Sequence, residues 1–330
     1  MNLAIVILNW NGKTLLEQFL PTVIKFSKEA SIYVADNAST DDSIGFLSTY
    51  FPEVIIIKNK ENGGYAKGYN DALKNLKEDV FCLLNNDIEV TKDWLTPIIE
   101  HFKNSSKSEA IIQPKILDYK NKSKFEYAGA AGGFIDKYGY PYCRGRIFNS
   151  IEKDNNQYNK KDNIFWASGA CLFIKSNVFK ELNGFDEAYF AHMEEIDLCW
   201  RAQNLGYTVQ YIPDSTVFHV GGATLENSNS QKTYLNFRNS LYTLVKNANG
   251  YVFILVLIRL ILDGIAGFKY LCELKPKHAF ALIKAHLAFY RRLPKLLKQR
   301  KSNNPSVKYY QKNSIVWLYY IKRKTTFKSL

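Results

Sequence analysis

The sequence predicts an α/β fold, in which helices flank a mostly parallel β-sheet and a basic helical region follows. Three observations lead to this prediction. Short runs such as residues 3–8 and 80–84 are apolar throughout, which is typical of strands buried on both faces. Segments of helical periodicity separate these runs, as crossovers between parallel strands require. Polar residues follow each run at its carboxyl side, the edge at which such sheets bind ligands.

The first hundred residues alternate between strands and helices. The predicted strands are residues 3–8, 32–35, 54–57 and 80–84, and the predicted helices between them are residues 15–24, 44–50 and 66–76. Ser39 and Asp42 have the S-x-x-D spacing that starts many helices. The Gly63-Gly64 pair either forms a plain turn or brings backbone N–H groups close to a phosphate, and the local sequence favours neither.

The next hundred residues are less regular. Strands are predicted at residues 111–116, 166–174 and 209–212, a loop or hairpin at 128–145, a mobile surface loop at 151–163 and a turn at 213–214. A helix is predicted over residues 194–201, in which Asp197 and Arg201 pair across one turn.

Positive charge is concentrated at one end of the chain. The net charge is +13, but 16 of the 44 Lys and Arg lie from Lys269 onward, with Glu273 as the one acid there. A basic tail on a near-neutral body suggests an anionic partner surface, either a membrane or a nucleic acid. We therefore divide the 330 residues into a main domain at 1–245 and a basic, helical C-terminal region at 246–330.

The C-terminal region contains two amphipathic segments, at residues 251–263 and 277–293. Arg259 and Asp263 interrupt the first, lie on one face of a helix, and leave too few apolar residues to span a membrane. The pattern favours a helix lying on a membrane surface, and packing on the main domain or in a homodimer interface is an equal alternative.

Two further features bear on the compartment. Met1 leads directly into an apolar run, without the basic segment and cleavage site of a secretory signal. The five cysteines are odd in number and widely spaced, and they form neither a zinc pattern nor a disulfide framework. We therefore expect a reducing, cytoplasmic environment.

Polar side chains follow three of the predicted strands. They are Asn9 and Asn11, Asp36, and the tripeptide Asn85, Asn86 and Asp87. Because the carboxyl ends of parallel strands share one edge, we expect these groups to converge. Hard oxygen ligands there suit Mg²⁺ or Mn²⁺ carrying a diphosphate, although the tripeptide alone is more typical of a turn. The G-x-G-x-x-G fingerprint is absent, which argues against a nicotinamide or flavin enzyme.

A second cluster of acids begins the predicted helix at residue 194. Glu194, Glu195 and Asp197 fall within four residues, with Tyr189, Phe190 and Trp200 around them. Aromatic neighbours that exclude water would raise the pKa of one carboxylate toward that of a working general base. A solvated, salt-bridged helix start is the alternative interpretation.

His219 precedes Gly221-Gly222 in an apolar segment. A lone histidine of this kind is more often structural than a ligand. Here the glycine pair gives the backbone freedom to fold over a ligand, and imidazole would suit Mn²⁺.

These motifs, in this order, resemble those of the family 2 inverting glycosyltransferases with the Rossmann-like GT-A fold, particularly the bacterial rhamnosyltransferase-like branch. The similar segments are residues 6–12 (first strand and nucleotide loop), 36–41 (D-N-x-S-x-D), 62–70 (N-x-G-[FY]-x-x-G-x-N), 85–87 (D-x-D-like), 194–201 (E-D-x-D-L-x-x-R) and 219–222 (H-x-G-G). The resemblance covers about residues 1–245, and six motifs in this order are together far more specific than any one of them.

The resemblance implies a UDP- or dTDP-linked sugar as donor and a lipid-linked or growing cell-surface glycan as acceptor, at the inner face of the cell membrane. It implies Glu195 as the base, with Glu194 as second choice, and Asp197 and Arg201 as supporting residues. The implied donor-binding residues are Asn9, Asn11, Asp36, Asn62, Gly64, Asn86 and Asp87, and those for Mg²⁺ or Mn²⁺ are Asp87, His219 and Asn85.

Two positions depart from the family pattern. Asn85 occupies the first position of the metal motif, so Asp87 would be its one carboxylate, with diphosphate oxygens, water and His219 completing the shell. Glu195 stands where the family usually has Asp. Because Glu has one methylene more than Asp, the acceptor hydroxyl would have to lie slightly farther from the backbone of residue 195.

Two other classes of protein are weaker candidates. A sugar-nucleotide pyrophosphorylase would need a Gly-rich loop bearing Arg or Lys after the first strand, and residues 9–13 (Asn-Trp-Asn-Gly-Lys) do not provide one. A nucleic-acid-binding protein would use the basic tail, but the acidic strand-end edge fits nucleic acid poorly, so we expect no nucleic acid partner.

Overall fold

A computed structural model describes residues 1–221, 229–300 and 308–330. The strands are β1 (Leu3–Asn9), β2 (Ala30–Asp36), β3 (Ile55–Lys58), β4 (Val80–Asn85), β5 (Ile88–Val90), β6 (Glu109–Asp118), β7 (Gly133–Ile135), β8 (Pro141–Cys143), β9 (Arg146–Ile147), β10 (Ser150–Ile151), β11 (Asp162–Ile164), β12 (Cys171–Lys175) and β13 (Thr208–His219). The helices are α1 (Lys13–Phe26), α2 (Ser43–Tyr50), α3 (Gly64–Leu73), α4 (Thr96–Asn104), α5 (Ser176–Glu181), α6 (Glu194–Asn204), α7 (Ser230–Asn247), α8 (Val252–Cys272) and α9 (Pro276–Gln299). Short helical turns lie at Glu187–Tyr189, Trp317–Ile321 and Phe327–Ser329.

The central sheet confirms the predicted α/β class. Its strand order is β11-β13-β6-β12-β4-β1-β2-β3, with β5 paired to β13. The run from β4 to β3 is parallel throughout, and β12 joins it antiparallel to β4 and β6. A separate antiparallel sheet, β10-β9-β8-β7, contains the hairpin predicted within residues 128–145.

Both faces of the sheet are buried, which explains why its strands are apolar throughout. In β1, Ala4 and Val6 belong to one core and Ile5 and Ile7 to the other. Alternation with a period of two therefore sends successive side chains into two separate cores. The helices α1 and α4 cover one face, while α3, α6 and α7 cover the other.

Three local predictions are wrong. First, β13 continues through the predicted turn at residues 213–214, because a register shift against β6 between Ile212 and Thr216 accommodates Pro213, which cannot donate an N–H to the ladder. Second, α2 begins at Ser43 with Asp42 at its N-cap, so Ser39 does not start the helix. Third, the segment at 151–163 is irregular but fixed to the core, since Tyr158 is buried and Asp154 pairs with the buried Lys115 at 2.8 Å.

The C-terminal region shares the core of the main domain. The predicted boundary at 245/246 falls inside α7. Phe289, Leu296 and Ile315, all beyond that boundary, are buried in the same cluster as residues of β4 and α6. The division into two parts therefore does not coincide with a gap in the packing.

Candidate active site

The carboxyl ends of three parallel strands lie side by side. Asn9 at the end of β1 is in register with Asp36 at the end of β2, and Leu8 is in register with Asn85 at the end of β4. Asn9 and Asp36 are buried. The sheet thus brings the ends of these strands to one edge, and Asn37 and Asn62 join them through their own hydrogen bonds. We call this polar surface the strand edge (Asn9, Asn11, Asp36, Asn37, Asn62 and Asn86).

Hydrogen bonds among these side chains are nearly complete. Asn86 Nδ2 donates to Asn9 Oδ1 at 2.9 Å, and the backbone N–H of Ser39 donates to Asp36 Oδ2 at 3.0 Å. A Cβ on Gly12 would collide with the side chains of Asn9 and Asn86, so only glycine leaves room for this pair. The strand edge is therefore a preformed polar surface.

Asn11 ties the loop after β1 to the loop after β2. Its Oδ1 accepts the backbone N–H of Thr40 at 2.7 Å, and its own N–H donates to Ser39 Oγ at 2.9 Å. The backbone of Asn11 is left-handed (φ 51°), a conformation that Asn adopts more readily than most residues. Asn11 therefore shapes the loop that would surround a nucleoside.

Asn62 and Gly64 form a turn that is already satisfied within the protein. Asn62 Oδ1 accepts from Asn37 Nδ2 and from the N–H of Gly64, both at 3.0 Å. The next N–H groups, of Tyr65 and Ala66, donate to the carbonyl of Phe190. A Cβ on Gly64, where φ is 74°, would collide with that carbonyl. Glycine is thus a packing requirement here, and the phosphate interpretation of the turn finds no free donor among these three groups.

Asp87, His219 and Glu126 form a buried charged cluster beyond the end of β4. His219 Nε2 lies 3.1 Å from Asp87 Oδ1, and its Nδ1 lies 3.3 Å from Glu126 Oε1. Burial alone would lower the pKa of His219, but the two carboxylates outweigh burial and raise the pKa to about 10. The imidazolium in turn holds the pKa of Asp87 below its usual value against the opposing effect of burial.

Asn85, Asp87 and His219 could together ligate a divalent ion once His219 has lost the proton that its carboxylate neighbours favour. Asn85 Nδ2 lies 3.4 Å from His219 Nε2, so an amide, a carboxylate and an imidazole converge. His219 Nδ1 is buried without a well-aligned hydrogen bond. Within the described residues, no three His, Cys, Asp or Glu side chains form a ready-made metal centre. An ion here would therefore draw further ligands from substrate oxygens and water.

The acids at the start of α6 have strongly raised pKa values. Burial disfavours the charged form of Glu195 and raises its pKa to about 7. Glu194 is more deeply buried, 4% exposed, and burial together with the adjacent Glu195 raises its pKa well above the usual value. One carboxylate oxygen of each is buried without a hydrogen-bond partner. Such groups are poised for proton transfer rather than for a salt bridge.

Two side chains feel the charge of these acids. Tyr65 is close enough to Glu194 and Glu195 for both to raise the pKa of its phenol, which burial already raises, and its hydroxyl donates to Gly169 O at 2.7 Å. On the other side, Glu126 and Glu195 both raise the pKa of the buried Cys143 thiol in addition to burial. Glu126 and Glu195 therefore both act electrostatically on Cys143.

The loop at residues 190–193, just before α6, is conformationally strained. Phe190, His192 and Met193 all have positive φ, between 64° and 73°, although none is glycine. Asn239 on α7 holds the loop by donating to the carbonyls of Tyr189, Ala191 and His192 at 2.7–3.0 Å. Arg238 Nη2 donates to the carbonyls of Ala188 and Tyr189. This clamp fixes where α6 begins, and hence where Glu195 lies.

Asp197 forms a charged junction and faces away from solvent. The predicted pair is present, with Arg201 Nε donating to Asp197 Oδ2 at 2.8 Å. Lys246 and Asn247 on α7 also donate to this carboxylate. Burial opposes ionisation, but these cations and donors hold the pKa of Asp197 far below its usual value. Asp197 and Arg201 therefore support the site and join α6 to α7.

Several of these residues were missed in the sequence. Glu126 lies in an irregular stretch with no motif around it, and no sequence signal points to it. Asn239 carried a weak signal in the sequence, because it is a polar residue between the apolar Leu235 and Leu241 of an amphipathic helix. The structure shows that its side chain is fully buried. Gly222, predicted to belong to the motif around His219, lies outside the described residues.

Comparison with known proteins identifies the family. The profile described as glycosyl transferase family 2 matches residues 4–182, more than half of the chain. The chain belongs to glycosyl transferase family 2. This glycosyltransferase is 23% identical over 232 residues to N-acetylglucosaminyl-diphospho-decaprenol L-rhamnosyltransferase of Mycobacterium tuberculosis, covering 66% of this chain and 75% of that protein. The family match favours the glycosyltransferase interpretation over the pyrophosphorylase and nucleic-acid-binding alternatives.

Solved structures confirm the GT-A fold. The mannosyltransferase PcManGT of Pyrobaculum calidifontis, in complex with GDP-Man and Mn²⁺, superposes with a TM-score of 0.54 at 13% identity, covering 88% of this chain and 87% of that one. S. aureus TarS 1–349, in complex with UDP-GlcNAc, gives a TM-score of 0.56 at 14% identity, covering 90% and 84%. At these identities the likeness concerns the fold alone.

Proposed function

We propose that this glycosyltransferase moves a sugar from a UDP- or dTDP-linked donor to a hydroxyl of a lipid-linked or growing cell-surface glycan, inverting the anomeric carbon. The observation that carries the proposal is the Glu195 carboxyl group, whose pKa is raised to about 7 and one of whose oxygens is buried without a partner. The loop before its helix contacts the turn at Gly64, because the Phe190 carbonyl accepts from the N–H groups of Tyr65 and Ala66. A base with this pKa is half deprotonated near neutral pH, which suits proton removal from an alcohol in the transition state.

The strand edge and Glu195 have separate tasks in this proposed reaction. The strand edge holds the nucleoside, with Asn9, Asn11 and Asp36 around the base and ribose. Glu195 accepts the proton of the acceptor hydroxyl while that oxygen forms a bond to the anomeric carbon. The bond from that carbon to the diphosphate breaks on the opposite face, and the nucleoside diphosphate leaves. A single displacement of this kind inverts the anomeric carbon.

The residues that would hold a divalent ion are Asp87, His219 and Asn85. A bound Mg²⁺ or Mn²⁺ supplies Lewis-acid stabilisation of the leaving diphosphate. Support comes from the converging donor set and from the solved relative whose complex includes GDP-Man and Mn²⁺. Glu126 contacts the second nitrogen of His219 and would orient the ring, as outer carboxylates do at histidine-ligated ions.

The acceptor class rests on the relative from M. tuberculosis, whose name specifies a diphospho-decaprenol substrate. A lipid-linked acceptor would place the enzyme at the inner face of the cell membrane. The chain has five unpaired cysteines, which agrees with a reducing compartment. Fractionation of cells into membrane and soluble extracts tests this location, and recovery of the protein from the oxidising side of the membrane would contradict it.

The experiment that tests the donor and the metal is a thermal-shift panel of UDP, dTDP and GDP, each with Mg²⁺, Mn²⁺ or excess chelator. We expect UDP or dTDP to raise the melting temperature, with a larger shift when metal is present. The Asp87→Asn variant serves as the control, because it should lose the metal-dependent part of the shift. Preference for GDP would overturn the donor assignment, and equal shifts in chelator would overturn the metal.

A further inference from the structure

Helix α8 packs with its charges inward. Arg259 and Asp263 are 2% and 0% exposed, and Arg259 Nε donates to Asp263 Oδ1 at 2.7 Å. Arg259 Nη2 also donates to Ser240 Oγ, and the Tyr140 hydroxyl donates to Asp263, both within 2.8 Å. The pair that interrupts the apolar sequence thus fixes the helix to the rest of the protein.

The opposite side of α8 is apolar and exposed. It forms a stripe at helical spacing, which we call the α8 face: Phe253, Ile254, Leu257, Ile261, Ile265, Phe268 and Leu271, each 53–69% exposed. A Cβ added to Gly264, between two of these residues, would meet no atom within 4 Å. An uncovered row of large apolar side chains of this length is unusual for a surface and marks an interaction site.

Neighbouring elements extend this surface and add positive charge. Helix α9, joined to α8 by a three-residue turn, exposes Phe280, Ile283, Leu287 and Tyr290 at helical spacing, and the turn at Trp317–Ile321 exposes Trp317 and Ile321. Exposed cations lie among and beside them: Lys277, Lys284, Arg291, Lys295, Lys298, Lys322, Arg323 and Lys324. Apolar residues interleaved with cations match the interface between the acyl chains and headgroups of an anionic bilayer.

We propose that the α8 face is the surface by which this enzyme lies on an anionic membrane, with its side chains at the depth of the headgroup boundary. None of the described helices is long and apolar enough to cross a membrane. The inward ion pair also ties α8 to the catalytic core. The helix therefore lies in the plane of the interface. The benefit of this membrane contact rests on the proposed function, because an enzyme lying in that plane can reach a lipid-linked acceptor.

The charge around the α8 face distinguishes between two possible partners of this surface, a bilayer and a second copy of the chain. In a two-fold dimer formed through this face, the cations around it would meet the same cations of the partner. Anionic headgroups would instead complement them. The charge of the surface thus favours the membrane over the homodimer.

Cys272 provides a direct test in the unaltered chain, because it lies at the end of α8 and is exposed, while the other four cysteines are buried. The full protein is labelled there with an environment-sensitive fluorophore and mixed with vesicles of phosphatidylcholine, with or without 30% phosphatidylglycerol. We expect a blue shift of emission with the anionic vesicles and little change with the neutral ones. Sedimentation of the protein with anionic vesicles without any blue shift would overturn the assignment of this face.

A triple variant, Ile261→Gln, Ile265→Gln and Phe268→Gln, tests the apolar contribution by vesicle sedimentation. We expect at least a tenfold lower bound fraction at limiting lipid, while Tyr50→Gln, an equally exposed apolar position on α2, binds as the wild type does. Retained thermal shifts with nucleotide and metal show that the variant is folded. Those shifts also separate this result from a failure of the proposed reaction.

The oligomeric state supplies the remaining outcome, measured by analytical ultracentrifugation without lipid. We expect a monomer for both wild type and triple variant. A wild-type dimer that the triple variant dissociates, together with unchanged vesicle binding, would assign the α8 face to a second copy and overturn the proposal.

Discussion

The strand edge and the start of α6 are built in opposite ways. On the strand edge, the amide and carboxylate groups of Asn9, Asp36 and Asn86 are paired with one another or with the backbone. At the start of α6, the described residues include buried polar atoms without hydrogen-bond partners, on His192, Glu194 and Glu195. His192 belongs to the loop at residues 190–193, which has three non-glycine residues at positive φ, and the two acids follow that loop. Satisfied polar groups make a rigid binding surface, while unsatisfied ones store the reactivity that a base requires.

The largest effect should come from Glu195→Gln, which removes the proposed base and keeps the size and polarity of the side chain. Because positioned general bases typically contribute about 10²–10⁴-fold, we expect kcat to fall by that factor. Transfer from donor to acceptor is measured at saturating donor, with nucleotide binding unchanged by thermal shift. Near-normal turnover would refute Glu195 as the base.

Glu194→Gln is the matched control for that experiment. Glu194 lies on the same helical turn but is more deeply buried, and burial together with the adjacent Glu195 raises its pKa as well. We expect a kcat within about tenfold of wild type, less than the range typical of a general base. A loss larger than that of Glu195→Gln would exchange the roles of the two residues.

The pH dependence of kcat/KM should follow from the pKa of Glu195, about 7. Only the carboxylate accepts a proton, so activity should be full above pH 8 and should fall about tenfold per pH unit below 7. The rate is measured across pH 5–9 with nucleotide binding as a parallel readout. A profile that stays flat from pH 5 to 8 would contradict the raised pKa.

Asn239→Ala tests the strained loop at residues 190–193 separately, because it releases that loop and leaves the strand edge intact. It removes three hydrogen bonds to the carbonyls of residues 189, 191 and 192. Since small misplacements of a catalytic group cost up to about 10²-fold, we expect kcat to fall by about 10- to 100-fold with the donor KM unchanged. A raised donor KM at normal kcat would show that Asn239 supports donor binding instead.

The smallest effects concern stability. Variants at the strand edge and at the start of α6 should change the melting temperature in opposite directions. The folded-state pKa of Glu195 is raised above 4.5, so the folded protein holds its proton more tightly and loses stability as pH rises from about 4.5 to 7. At pH 8, Glu195→Gln should therefore raise the melting temperature by a few degrees. Asn86→Ala should lower it, because Asn9 Oδ1 loses its donor, at a cost of about 1–3 kcal/mol. Equal signs in calorimetry would contradict the contrast.

The strand edge could be predicted from the sequence because it depends on local signals. Continuous apolar runs define the strands, and parallel pairing brings their ends together whatever the rest of the chain does. The geometry beside α6 depends on partners distant in sequence: Asn239 lies almost 50 residues after the loop that it holds, and Glu126 lies more than 90 residues before His219. No periodicity or turn signal encodes such contacts. The inward orientation of Arg259 and Asp263 was hidden for the same reason, since Tyr140 and Ser240 complete their pairing.

Helix α7 joins the loop at residues 190–193 to the hairpin formed by helices α8 and α9. It carries Asn239, and it contacts α9 near both of its ends, through Thr233 with His278 and through Val245 O with Arg300. Its 18 residues form a rod roughly 27 Å long. With the hairpin resting on lipid, this rod would hold the base at a constant height above the headgroups. The distance of the acceptor hydroxyl from the lipid would then decide whether it reaches Glu195.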